Sequence, residues 1–288
     1  MAALDRKISM ADLRAARTSG RKFAMLTCYD FTAARLMQEA GVPGLLVGDS
    51  AASVVLGHGS TLPAKLGFMI EITAAVRRGA PLAMVWADMP FGSYHRSTAQ
   101  GVRNVCRMVQ LSGADAVKIE AAVTQLPLVS RLADAGVAVV AHLGLRPQFI
   151  GRLGEYKAQG RSATDAMKVV ELSQRFTEAG AAAILLEAVP PEVSAAVVAA
   201  VNVPVIGCGA GPACHGHVVV TQDAIGLTSR KPRFVPELGD LATPARQAFE
   251  SYVGLITDRA YPAAEHLYAM PADERTLFVN HTRTSGGV

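Results

Sequence analysis

Along the chain, short apolar runs alternate with longer segments whose apolar positions recur at helical spacing. The runs are "FAMLTCY" (23–29), "GLLVGD" (44–49), "LAMVWAD" (82–88), "DAVKIE" (115–120), "VAVVAHLG" (137–144), "AAILLEAV" (182–189) and "VPVIGCG" (203–209). Each is apolar at consecutive positions, as a strand is when helices cover both faces of its sheet. The segments between them read as helices. "DFTAARLMQEAG" opens on a capping Asp and closes on a helix-stopping Gly. "STAQGVRNVCRMVQLSGA", "TQLPLVSRLADAGV" and "SATDAMKVVELSQRFTEAGA" carry the same terminal Gly, and "PPEVSAAVVAAVNVP" opens on prolines suited to a first helical turn.

Six or more β–α units in succession predict a parallel α/β fold. The length fits a (β/α)8 TIM barrel of about 250 residues, with a doubly wound open sheet as the alternative. The eighth strand is the weakest signal and is placed within "GHVVVTQDAIGL" (216–227). "ATPARQAFESYVGLITDRAYP" reads as a helix. Without a linker or low-complexity tract, one barrel domain with an N-terminal helix is expected over residues 1–270, and a C-terminal tail or crossing arm over 271–288.

Half of the 288 residues are hydrophobic and the net charge is only +4, which excludes disorder. The basic excess is scattered over "RRG", "RKP" and "RTSGRK", too thin for a nucleic-acid surface. Cys28, Cys106, Cys208 and Cys214 lack zinc spacing and read as reduced thiols. The N-terminus has no apolar signal core, and no run approaches the ~18 apolar residues of a membrane helix. The expectation is a cytoplasmic protein with no membrane or nucleic-acid partner.

The strand ends change the picture. The second run ends in Asp49-Ser50, the third in Asp88, the fourth in Lys118-Ile119-Glu120, the fifth at His142 and the sixth at Glu187. In a (β/α)8 barrel the C-terminal ends of the strands form the rim where chemistry occurs. Each residue alone has an ordinary explanation: a turn Asp, a solvated Glu, a hydrogen-bonded core His. Five consecutive strands delivering ionisable groups to one rim do not, because clustered carboxylates repel and lose hydration. Three converging carboxylates, Asp49, Asp88 and Glu120, suggest a hard divalent cation such as Mg²⁺. Lys118 and Glu120, two apart on a strand, point to the same face, so one can neutralise a substrate carboxylate while the other addresses the metal. Glu187, across the rim, is a candidate general base whose pKa burial would raise. The set suits proton abstraction beside a carbonyl.

The blocks "LTCYDFTAARL", "LLVGDSAASVVLGHGSTLP", "AAVRRGAP", "ADMPFGSY", "ADAVKIE", "HLGLRPQ", "GEYKAQGR", "LLEAVP", "VPVIGCGAG" and "YPAAEH" occur in order over about residues 8–268. Together they resemble the ketopantoate hydroxymethyltransferase family of pantothenate synthesis. The resemblance implies a barrel of the phosphoenolpyruvate mutase/isocitrate lyase superfamily. It also implies Mg²⁺, 5,10-methylenetetrahydrofolate as one-carbon donor, and a small branched 2-oxo acid as acceptor, reacting through a metal-bound enolate. By position in these motifs, Asp49 and Asp88 would ligate the metal and Glu120 would join its shell directly or through water. Ser50 and Lys118 would hold the substrate carboxylate, His142 would line the pocket and Glu187 would be the base. Assembly as a homo-oligomer, a ring of dimers such as a decamer, is likewise implied.

Some positions depart from the family pattern: Gly59 for an Asp, Ala121 and Ala122 for two glycines, Arg146 for a Thr, Glu155 for a Gly, and His215-Gly216-His217 after "GAG". They raise the expectation of a paralogue with a different acceptor or donor. Two other classes stay open. A C–C lyase or aldolase of the same superfamily would use the same chemistry, although no Cys follows Lys118-Ile119-Glu120. A non-catalytic binding protein would keep the barrel, against which the intact carboxylates argue.

Overall fold

The computed structural model describes residues 4–229 and 231–285. Eight parallel strands close into a barrel in chain order: β1 Phe23–Thr27, β2 Gly44–Val47, β3 Met84–Asp88, β4 Ala116–Glu120, β5 Val139–Gly144, β6 Ala183–Glu187, β7 Val205–Cys208 and β8 Gly216–Val219. β8 falls where the weak signal placed it and closes the sheet by pairing with both β7 and β1.

The period of two along each strand divides its side chains between two cores. Met25, Leu46, Met84, Trp86, Ala116, Val140, Ala183, Leu185, Ile206 and Val218 fill the lumen. Leu45, Val47, Val85, Ala87, Val117, Ile119, Val139, Ala141, Ile184 and Val205 point outward. They pack under helices such as Leu66–Gly79, Thr98–Ser112, Leu126–Asp134, Ala163–Glu178 and Pro191–Ala200. The uninterrupted apolar runs in the sequence follow from this double burial. The helix starts are capped as their residues predict: Asp30 Oδ1 accepts from the Ala33 amide at 2.8 Å, and Ser97 Oγ from that of Gln100 at 3.2 Å. The seventh unit is the exception to the repeat, because Gly209–His215 passes from β7 to β8 without a helix.

The N-terminal helix Met10–Ser19 places Leu13 and Ala16 in the lumen cluster. The lumen of the barrel is thus filled with apolar side chains up to the layer where the polar groups begin. The chain divides into two compact units after Gly239, earlier than the expected limit at residue 270. The second unit contains the helix expected in the 242–262 region, Ala242–Thr257, and a further helix, Ala272–Ser285, where a tail was expected. No helix among the described residues is long and apolar enough to cross a membrane.

Candidate active site

The polar layer lies one step beyond the apolar lumen, toward the C-terminal ends of the strands. Continuing the inward positions of each strand gives Thr27, Asp88, Lys118, Glu120, His142, Glu187 and Cys208. The register sets Asp88 beside Lys118, Glu120 beside His142, and Glu187 beside both Gly144 and Cys208. His142 thus sits within β5 rather than at its end, with Leu143 and Gly144 continuing the strand. A cavity of about 120 Å³ opens above this layer. Its lining includes the polar residues Asp49, Ser50, Asp88, Lys118, His142 and Glu187 and the apolar residues Leu185, Val218, Phe234 and Val235.

Lys118 is the hub of the inner charges. Its Nζ lies 3.1 Å from Asp88 Oδ2 and 3.1 Å from His142 Nδ1. Burial works against the ammonium, but Asp88, Asp49 and Glu120 override it and raise the Lys118 pKa. An ammonium has no acceptor, so His142 Nδ1 accepts and Nε2 bears the proton. Burial, reinforced by Lys118, holds the imidazole neutral, with its pKa well below the usual range. His142 Nε2 stands 3.3 Å from Glu187 Oε2. Burial pushes the Glu187 carboxyl up to about 7, with Lys118 opposing the shift.

Of the three carboxylates expected to converge, Asp49 and Asp88 face the cavity. Asp88 Oδ2 accepts from the Asp49 amide at 3.0 Å, while its buried Oδ1 has no partner among the described residues. Burial and then Asp88 push Asp49 up to about 7. Glu120 is turned away from the cavity lining, because both its oxygens accept from the Gln148 amide, at 3.0 and 3.1 Å. Burial, with Asp49 adding to it, raises Glu120 well above the ordinary carboxylate range.

Four carboxylates thus crowd one ammonium, and one carboxylate oxygen is left without a donor. A hard cation bound by two carboxylates, with water and substrate oxygens completing its shell, fits this donor set. Among the described residues no group of three or more His, Cys, Asp or Glu side chains is arranged to hold a metal ion, so the expected convergence of Asp49, Asp88 and Glu120 is not met by all three.

Sequence reasoning passed over several residues of this region. Tyr29, two positions beyond Thr27, holds Ser50: its hydroxyl lies 2.8 Å from Ser50 Oγ. Gln148 and Tyr94 underlie the carboxylates, and Cys208 lines the cavity beside Glu187. The period of two would have found Cys208; only tertiary structure reveals the others.

The residues that depart from the family pattern lie elsewhere. Ala121 is buried on the outer face of the barrel and its carbonyl accepts from Arg146 Nη1 at 2.7 Å. The Arg146 guanidinium lies 4.1 Å over the Phe149 ring. Glu155 pairs with Lys157 on the surface. His215 Nδ1 accepts from the Val205 amide at 2.9 Å. None of these, nor Gly59 or Ala122, lines the cavity.

Residues 7–264 match the model of a family described as ketopantoate hydroxymethyltransferase. The chain belongs to that family. A 3-methyl-2-oxobutanoate hydroxymethyltransferase of Desulfotalea psychrophila is 41% identical over 270 residues, covering 93% of this chain and 97% of its own. Among solved structures, phosphonopyruvate hydrolase in complex with oxalate and Mg²⁺ aligns with a TM-score of 0.58 at 18% identity, covering 95% of this chain and 99% of its own. A 2,3-dimethylmalate lyase, a member of the PEP mutase/isocitrate lyase superfamily, aligns with a TM-score of 0.57 at 16% identity, covering 95% and 98%. At such identities these two share the fold.

Proposed function

We propose that the chain transfers a one-carbon unit from 5,10-methylenetetrahydrofolate to C3 of 3-methyl-2-oxobutanoate. The observation that carries this reading is the lining of one cavity: Asp49, Ser50, Asp88 and Lys118 face it together with Glu187, which stands beside neutral His142. The known activity of the 41% identical relative supplies the substrate.

Lys118 and Ser50 hold the acceptor carboxylate, the first by charge and the second by its hydroxyl. Asp49 and Asp88 would hold Mg²⁺, with Glu120 behind them. When bound there, the ion supplies Lewis-acid polarisation of the 2-oxo group, which acidifies C3. Glu187 takes the C3 proton, which a carboxylate with a pKa near 7 does far better than one near 4. His142 Nε2 lies 3.3 Å from Glu187 Oε2 without a hydrogen bond between them, so the neutral imidazole packs beside the base and adds no charge that would hold its proton. The apolar walls admit the branched carbon skeleton and exclude water from C3.

The test is incubation with Mg²⁺ and 3-methyl-2-oxobutanoate in D₂O, with no donor. We expect the C3 proton to be lost from the NMR spectrum, and methylenetetrahydrofolate to divert the flux into 2-dehydropantoate. Absence of exchange in metal-loaded protein would refute the assignment. Product formed faster with free formaldehyde than with the folate would move the donor assignment alone.

A further inference from the structure

We propose that Gln148 is a positioning residue for the metal: its side chain holds Asp49, a carboxylate of the proposed Mg²⁺ site, and its main chain holds Glu120 behind that site. This rests on the metal reading above. Gln148 follows Pro147 in the turn after β5 and is 4% exposed. Its side-chain Nε2 donates to Asp49 Oδ2 at 2.7 Å and to the Met89 carbonyl at 3.0 Å. Its Oε1 accepts from the Tyr94 hydroxyl at 2.8 Å. Its backbone amide donates to both oxygens of Glu120.

The circuit closes through Tyr94, whose oxygen accepts from the Glu120 amide at 3.3 Å. Every polar end of the Gln148 side chain therefore has a partner in only one of its two amide orientations. Turned over, Oε1 would face two acceptors, Asp49 and the Met89 carbonyl, and Nε2 would face the Tyr94 hydroxyl. That orientation pins Oδ2 of Asp49. The orphaned Oδ1 of buried Asp88 lies in the same cluster.

The choice of an amide has a chemical consequence. An Arg or Lys at this position would also satisfy Asp49, but its charge would compete with the cation for the same carboxylate. A neutral donor fixes the oxygen and leaves the negative charge for the metal. Groups that orient metal ligands in this way typically cost 10–100-fold in metal affinity when removed.

The experiment measures Mn²⁺ as a paramagnetic stand-in for Mg²⁺, by the loss of its free EPR signal on binding to the full chain. Gln148→Met keeps length, removes the side-chain donor to Asp49 and leaves the backbone amide on Glu120; we expect the dissociation constant to rise by about 10–100-fold. Tyr94→Phe leaves Gln148 present but frees its Oε1, and a smaller rise in the same direction is expected. Thermal unfolding without metal reports whether each variant folds, so a failure of Gln148→Met to fold passes the question to Tyr94→Phe. Asp49→Asn is the control for the metal reading and should lose binding. If Asp49→Asn loses binding while folded Gln148→Met and Tyr94→Phe bind Mn²⁺ as the parent does, the positioning role is overturned and the metal site stands. If the parent itself binds no Mn²⁺, or Asp49→Asn binds unchanged, both fall.

Discussion

Gly144 and Glu187 lie opposite each other in register on β5 and β6, and a Cβ on Gly144 would run into the Glu187 carbonyl oxygen. The Gly144 backbone also sits at φ +86°, and the same carbonyl accepts from the Leu145 amide at 2.8 Å. The glycine thus sets the seat of the candidate base. Gly144→Ala should destabilise the barrel by about 1–3 kcal/mol through overpacking and backbone strain. It should also slow C3 exchange by about 10²-fold, the scale of a 1 Å misplacement of a reacting group. Urea unfolding and deuterium exchange measure the two effects; unchanged exchange in a folded variant would detach Glu187 from the chemistry.

Glu187 predicts the pH profile. With its carboxyl near 7, the rate should rise with pH through about 7 as the base ionises, and neutral His142 adds no second limb there. The folded pKa lies above the usual value of about 4.3. Between those values the folded state holds a proton that the unfolded state has released. Stability therefore falls as pH rises across that window. Glu187→Gln should lose exchange by about 10²–10⁴-fold. It should exceed the parent in stability by about 1–3 kcal/mol at pH 8 and match it near pH 4. Denaturant midpoints at the two pH values give the sign.

Asp49 and Asp88 are expected to part company in stability while sharing a loss of Mg²⁺-dependent turnover. Asp88 is the ion-pair partner of buried Lys118 at 3.1 Å. Removing one partner of a buried pair costs about 3–5 kcal/mol, so Asp88→Ala should melt well below the parent. Among the described residues Asp49 has no cation at contact distance; burial and Asp88 both oppose its charge. Asp49→Asn keeps an acceptor for Gln148 and should be neutral or stabilising. Calorimetric melting of the metal-free proteins decides this, and equal losses would mean that Asp49 carries a structural ion pair as well.

The barrel was legible because its strands are buried on both faces and leave uninterrupted apolar runs, most of them followed by a segment of helical spacing. Even Asp49, Asp88, Lys118, Glu120, His142 and Glu187 could be gathered, since strand ends share one rim. What could not be read is direction after the strand stops. Glu120 turns onto Gln148 because the turn after β5 carries an amide under it, a contact between the end of one strand and the turn after the next. The Tyr29–Ser50 contact is hidden for the same reason. A residue adjacent in sequence to a rim carboxylate, such as Ala121, points to the opposite face of the strand.

That placement decides what acceptor to expect. Ala121 and Arg146 contact each other outside the cavity, Glu155 is on the surface, and the cavity lining includes Leu185, Val218 and Cys208, the last in register with Glu187. A pocket discriminates acceptors by the walls that touch them, with a methylene worth about 1–3 kcal/mol. We therefore expect 3-methyl-2-oxobutanoate to head a panel of 2-oxo acids compared by kcat/KM. Arg146→Thr, which restores the family residue, should leave the ranking unchanged. Cys208→Ile fills the wall beside Glu187 and should lower kcat/KM most for the bulkiest acceptors. A ranking that moves with Arg146 and not with Cys208 would place the determinant of specificity outside the cavity, in the turn that carries Gln148.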